Sequence, residues 1–147
     1  MSVRDPEPAA KLAAGIETTL FTSSYREWRP QHGAPVVISL QTPRWLPEAK
    51  SWPKLWPATP RWSYFHASAE EYDRQFTAQL ERCGVQAIAR RLAEIASSGF
   101  AEPAERLVLL CWEPSEVAET QCHRRSFAAW WLLSTGEKIT EITKEDQ

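Results

Sequence analysis

"RLVLLCWEPSEVAETQCHRRSFAAWWLLSTGEKITEI", residues 106 to 142, decides the fold. Its opening "RLVLLCW" is apolar on both faces of an extended chain, which suits a strand covered from both sides. From His123 the spacing becomes helical. Phe127, Trp130, Trp131 and Ser134 spread across successive turns, and Gly136 supplies a stop. "EKITEI" (137–142) closes the stretch as a short strand. A strand, a helix and a strand in this order form a right-handed crossover when the strands are parallel neighbours.

The rest of the chain extends this unit. "IETTLFTSS" is rich in β-branched residues and predicts a strand over about 17–22. "YREWRPQHGAP" is a short connection, and "PVVISLQ" (35–41) predicts a second strand. Ser68 and Glu71 make a capping-box pattern ahead of Tyr72, Phe76, Leu80 and Cys83, which recur at helical spacing before Gly84. Cys83 lies on that apolar stripe and reads as core. Val85, Ile88, Leu92 and Ile95 mark a further helix that ends near Gly99. The expected architecture is α/β: a single compact domain over 16–143, a small mostly parallel sheet flanked by helices, preceded by a flexible polar tail at 1–15.

Composition narrows the functional classes. The chain has 147 residues, and 43% hydrophobic content is enough for a real core in one domain. A net charge of −2 gives no global attraction to nucleic acid or an anionic membrane, so phosphate binding would need a local patch. No run approaches the roughly 18 apolar residues of a membrane span, and the N-terminal segment lacks the apolar core of a secretory signal. Three cysteines without framework spacing favour reduced thiols and a cytoplasmic location.

Residues 43–62 hold five prolines and four tryptophans. Proline at this density blocks helix and central strand alike, which leaves a long structured loop. Its tryptophans either clamp the loop onto the domain or form an aromatic rim over a pocket, where they could stack a base.

In open α/β sheets, ligands bind at the carboxyl ends of the strands. Three predicted strands arrive there with polar groups: Thr22, Ser23 and Ser24; then Ser39, Gln41, Thr42 and Arg44; then Cys111, Trp112 and Glu113. Cys122, His123, Arg124 and Arg125 open the helix that follows. A helix N-terminus with arginines makes an anion site, and the same field favours thiolate over thiol. Only one of the two arginines can face inward, because helical neighbours point about 100° apart. Glu113 could orient Arg124 or move a proton.

Other chemistries compete for the same residues. Cys111, Cys122 and His123 could hold a metal, but C-x10-C-H is not a zinc spacing and leaves the tetrahedron incomplete. A cysteine nucleophile with His123 or Glu113 as proton partner is a further option. All of these residues could instead be scaffold. The expected assignment is a pocket for a phosphate-containing ligand, a nucleotide or nucleic acid. Thr22, Ser23, Ser24, Arg44, Arg124 and Arg125 would bind it, and Cys111, Glu113, Cys122 and His123 are the catalytic candidates. No metal or cofactor is assigned. The alternative is a non-enzymatic interaction module. His32 and His66 read as surface residues.

"LVLLCWE", "CHRR" and "GEKITEI" together resemble the C-terminal hallmark of the domain of unknown function 488 family. The match runs through Leu110, Cys111, Glu113, Cys122, His123, Arg124, Ala128, Gly136 and Ile142. "LFTSSYREW" looks like that family's opening strand, and "VVISLQTPRW" occupies the place of its second. Many members have an Asp where this chain has Ser39 and an Arg where it has Gln41, while Pro43 and Arg44 preserve the tail of that motif. The resemblance implies a compact α/β domain with a site around the Cys–Glu and Cys–His–Arg elements. It implies no particular reaction.

Overall fold

The structure, a computed structural model, describes residues 18–112 and 123–146. Glu113, Cys122 and the expected N-terminal tail lie outside them. Four strands, β1 (Thr19–Ser24), β2 (Ala34–Val37), β3 (Arg106–Cys111) and β4 (Thr140–Glu141), form one sheet in the order β2-β3-β1-β4. Every strand pairing is parallel. The helices are α1 (Ala69–Cys83), α2 (Val85–Ser98) and α3 (His123–Thr135). The α/β class expected from the sequence is the one observed.

The layering is asymmetric. Leu107, Leu109 and Cys111 alternate along β3 with Val108 and Leu110, and the two sets enter different cores. The first set joins Phe76, Leu80, Ile88, Leu92, Phe127 and Trp131, so all three helices cover one face. The second meets Tyr25, Ala49 and Ile142, with Trp28, Leu46 and Trp52 packed against them. The topology explains this. From β2 onward the chain moves across the sheet in one direction, and right-handed crossovers then place every helix on one side. The reverse step, β1 to β2, is made by residues 25–33. That link holds only a 3-10 turn (Pro30–His32), so indole rings cover the second face.

Local signals behave as their chemistry requires. Ser68 Oγ accepts the Glu71 N–H at 3.2 Å, which caps α1. Gly84 joins α1 to α2 at φ +86°, a backbone region that side chains with a Cβ resist. Trp130 and Trp131 both bury their rings, and each indole N–H keeps a partner, at Glu81 Oε2 (2.8 Å) and Glu137 Oε1 (2.9 Å). β4 contracts to two residues between the buried Ile139 and Ile142. His32, expected at the surface, is buried. Its Nδ1 accepts the Arg29 N–H and its carbonyl accepts from Arg106 Nε, which ties the β1–β2 link to β3.

The Pro/Trp segment folds as three 3-10 turns, at Pro47–Ser51, Trp56–Ala58 and Trp62–Tyr64. Between the first two, Val37 N–H donates to the Pro53 carbonyl (2.8 Å) and Leu55 N–H to the Val37 carbonyl (3.0 Å). The loop therefore covers the open edge of β2, which would otherwise present unpaired backbone groups. Gln79 of α1 holds it from the other side. Its amide donates to the carbonyls of Pro57 (2.8 Å) and Thr59 (2.7 Å) and accepts from Tyr64 Oη at 2.5 Å. No described helix is long and apolar enough to cross a membrane.

Candidate functional site

The carboxyl ends of β1, β2 and β3 lie side by side, because the parallel registers pair Ser24 with Cys111 and Val37 with Leu110. At this edge α3 delivers two arginines with different fates. Arg124 is wholly buried and donates through Nη1 to Cys111 Sγ at 2.9 Å, while its Nη2 stands 3.5 Å from Glu141 Oε2. Arg125 is about one-third exposed and grips Glu141 with two parallel bonds of 2.9 Å. One arginine inward and one outward is the outcome that the 100° helical step requires.

Burial works to raise the Glu141 carboxyl. The Arg125 hydrogen bonds and the charges of both arginines outweigh it and hold the group below its ordinary value of 4.5. A folded-state value below the unfolded one means that this stabilisation is present above about pH 4.5 and is lost as pH falls through the folded value. Acid melts of wild type and Glu141→Gln test this. The variant is expected to lose less stability between neutral and acid pH. Equal pH slopes would remove Glu141 from the account.

His123, the first residue of α3, donates from Nε2 to the Ile38 carbonyl at 2.6 Å and lies edge-on to Phe76. This bond takes up a carbonyl just beyond β2. His123 also forms part of the wall of a cavity of about 380 Å³, together with Ser39, Gln41, Trp62, Phe65, Tyr72 and Trp112. The Trp112 ring is fixed by its N–H on the Gln41 carbonyl (2.8 Å), which also accepts from Ser39 Oγ (2.7 Å). Ser39 Oγ in turn accepts from Tyr25 Oη at 2.6 Å. Burial pushes the Tyr25 phenol well above its ordinary value, so it stays protonated and serves as donor. Four aromatic rings and a small set of fixed polar atoms therefore surround one cleft, the usual composition of a small-molecule site.

A second cavity, of about 550 Å³, shares the Leu40 and Gln41 wall. Arg44, Lys50 and Lys54 line it with Trp52 and Trp56, and among the described residues no carboxylate does. Lys54 Nζ donates to the Leu40 carbonyl at 3.1 Å and lies 4.3 Å over the Trp56 ring. Partial burial draws its ammonium below its ordinary value. Among the described residues, no ion pair engages Arg44, Lys50 or Lys54.

The sequence-derived candidates thus divide. Cys111, His123 and Arg124 come together at the strand ends and are bonded into the fold. The hydroxyls of Ser23 and Ser24 are committed elsewhere: Ser23 Oγ donates to the Ile142 carbonyl (2.7 Å) and Ser24 Oγ to Glu27 Oε1 (2.8 Å). Thr22 is buried within β1. Arg125 is occupied by Glu141, and Arg44 faces the cationic cavity instead. Glu113 and Cys122 lie outside the described residues, and no described group of three His, Cys, Asp or Glu could hold a metal ion. Sequence reasoning missed Lys50, Lys54 and Glu141 as contributors. The alternation of lysine with tryptophan in "AKSWPKLW" was the available signal for the first two.

No family model, curated protein or solved structure matches this chain. The functional reading therefore rests on geometry.

Proposed function

We propose that this domain binds a nucleotide unit at the carboxyl edge of its sheet, with the base in the aromatic cleft and the phosphate in the adjoining cationic cavity. One observation carries the reading. An aromatic cavity and a cationic cavity whose described lining holds no carboxylate share the Leu40–Gln41 wall. A nucleotide presents the same two surfaces, a flat π-face and an anion, a few ångströms apart. Trp62 and Trp112, both substantially exposed, offer stacking surfaces, while Ser39, Gln41 and His123 supply polar edges. Arg44 and Lys50 supply charge, with no competing carboxylate among the described residues of the lining.

Membership of the domain of unknown function 488 family is proposed on the meeting of Cys111, His123 and Arg124. In this reading the motif is the brace behind the cleft. Arg124 locks α3 to β3, and His123 locks it to the segment beyond β2.

Titration with mononucleotides, read by tryptophan quenching and thermal shift, tests the proposal. Wild type is expected to saturate. Trp62→Ala should weaken binding about five- to 150-fold, since stacking on an aromatic ring contributes about 1–3 kcal/mol per base. Arg44→Ala should weaken phosphorylated ligands more than the parent nucleoside. Absence of saturable binding, or a Trp62→Ala protein that binds as wild type does, would defeat it.

A further inference from the structure

We infer that the physiological ligand is a single-stranded nucleic acid of several nucleotides rather than a free nucleotide, a deepening that rests on the function proposed above. The observation is a third cavity, of about 420 Å³, beside the β1–β2 link and lined by Arg26, Arg29, Trp28 and Trp45 among others. Among the described residues its lining, like those of the other two, contains no carboxylate. The Arg26 guanidinium stands 5.7 Å over the Trp45 ring, a cation on a π-face as in the Lys54–Trp56 pair. Among the described residues the third cavity shares no wall residue with the second but is its neighbour in two ways, the second of them through a ring pair that also lines a cavity with Glu102 and Glu105. Trp45 follows Arg44 directly in the chain, and Trp28 packs edge-on against Trp52 at 5.0 Å.

The sequence shows the same segregation. Residues 25–62 carry six arginines and lysines against two glutamates, in a chain whose net charge is −2. One of those glutamates, Glu27, is buried and accepts from Ser24 Oγ and the Lys144 N–H. The segment also holds five of the eight tryptophans. Trp45, Trp56 and Trp62 are each more than half exposed although they are the most costly residues to leave in water. A free nucleotide would fill the aromatic and cationic cavities and leave Arg26 and Trp45 outside its site, while Arg29 Nη1 is already bonded to the carbonyls of Arg26 and Trp28. A strand reaches the third cavity as well, because basic grooves that track a backbone while aromatic rings stack successive bases are the general solution for unpaired nucleic acid. A duplex hides its base faces and cannot use the rings.

Fluorescence anisotropy on the full chain tests this with oligo-dT and oligo-rU of about six nucleotides, the matching mononucleotides as competitors, and a duplex of similar length. Each oligonucleotide is expected to bind at least tenfold more tightly than its mononucleotide and than the duplex, and the dT and rU arms separate DNA from RNA. Log affinity should fall with log salt at about 0.7 per phosphate contacted. Trp45→Ala and Arg26→Ala should each weaken the oligonucleotide about tenfold and leave mononucleotide binding unchanged, which separates this site from Trp62. A mononucleotide that competes as well as the strand, equal duplex binding, or a Trp45→Ala protein with wild-type oligonucleotide affinity would overturn the inference. Failure of strands and mononucleotides alike would overturn the nucleotide reading on which it rests.

Discussion

Arg124→Ala is expected to lower stability by about 3–5 kcal/mol, the cost of emptying the space of a large, fully buried side chain and removing the donor to Cys111 Sγ. In a domain of this size that is a fall of roughly 10–16 °C in Tm. The guanidinium is fully enclosed, bonded to Cys111 Sγ on β3 and set beside Glu141 on β4. Alanine would leave a cavity the length of an arginine side chain and strip a cation from two groups that face it. Lysine should not rescue, because a single ammonium cannot reach both partners with the planar fork that arginine supplies. Arg125→Ala is the matched control. It removes the bidentate grip on Glu141 but from a partly solvated position, where such pairs contribute about 0–1 kcal/mol. Chemical denaturation of the two variants decides the matter. Equal losses would show that Arg124 is not the brace between helix and sheet.

Gln79→Leu is expected to cost about 3 kcal/mol and to loosen the Pro/Trp segment before the rest of the domain. The substitution keeps the side chain's approximate size but leaves the carbonyls of Pro57 and Thr59 and the Tyr64 hydroxyl without their shared partner. Each buried polar group so orphaned costs about 1–3 kcal/mol, less whatever relaxation lets water recover. Native-state hydrogen exchange should show faster opening at residues 55–67, with α2 and β3 unaffected. Ligand affinity should fall with it, because Trp62 and Phe65 of the aromatic cleft stand on the segment that Gln79 holds. A variant that opens only globally would mean that the loop is held by its tryptophans and not by this amide.

The element pattern was legible because its causes are local. Apolar runs, the Ser68 cap, Gly84 and the helical spacing of Phe127, Trp130 and Trp131 act over a few residues. So does the rule that places Arg124 and Arg125 on different sides of α3. Strand ends were less legible. β2 stops at Val37 as a strand although Ile38 N–H still donates to the Leu110 carbonyl, because the following residues are drawn away into the Ser39–Gln41 turn. The one-sided placement of the helices was not legible either, since it depends on the spatial order of the strands. The candidate site was legible as a sheet edge but not in its occupants. Ser23 and Ser24 have the right residue type for a cradle, yet their partners arrive from Ile142 and from Glu27. Arg44 was visible because it follows a strand, whereas Lys50 and Lys54 lie within the Pro/Trp loop and enter the site only through its fold.

By itself, the sequence determined an α/β domain, its strands and helices, and the strand edge at which Cys111, His123 and Arg124 meet. Only the tertiary structure decided which polar groups are already spent. A hydroxyl or guanidinium is committed by whatever distant segment reaches it, as Glu141 reaches both arginines and Gln79 reaches the Pro/Trp loop. Hydrogen-bonding capacity is finite, so hydroxyls and guanidinium groups satisfied inside the fold cannot also serve a ligand, whereas Arg44 and Lys50 line their cavity with no ion pair among the described residues.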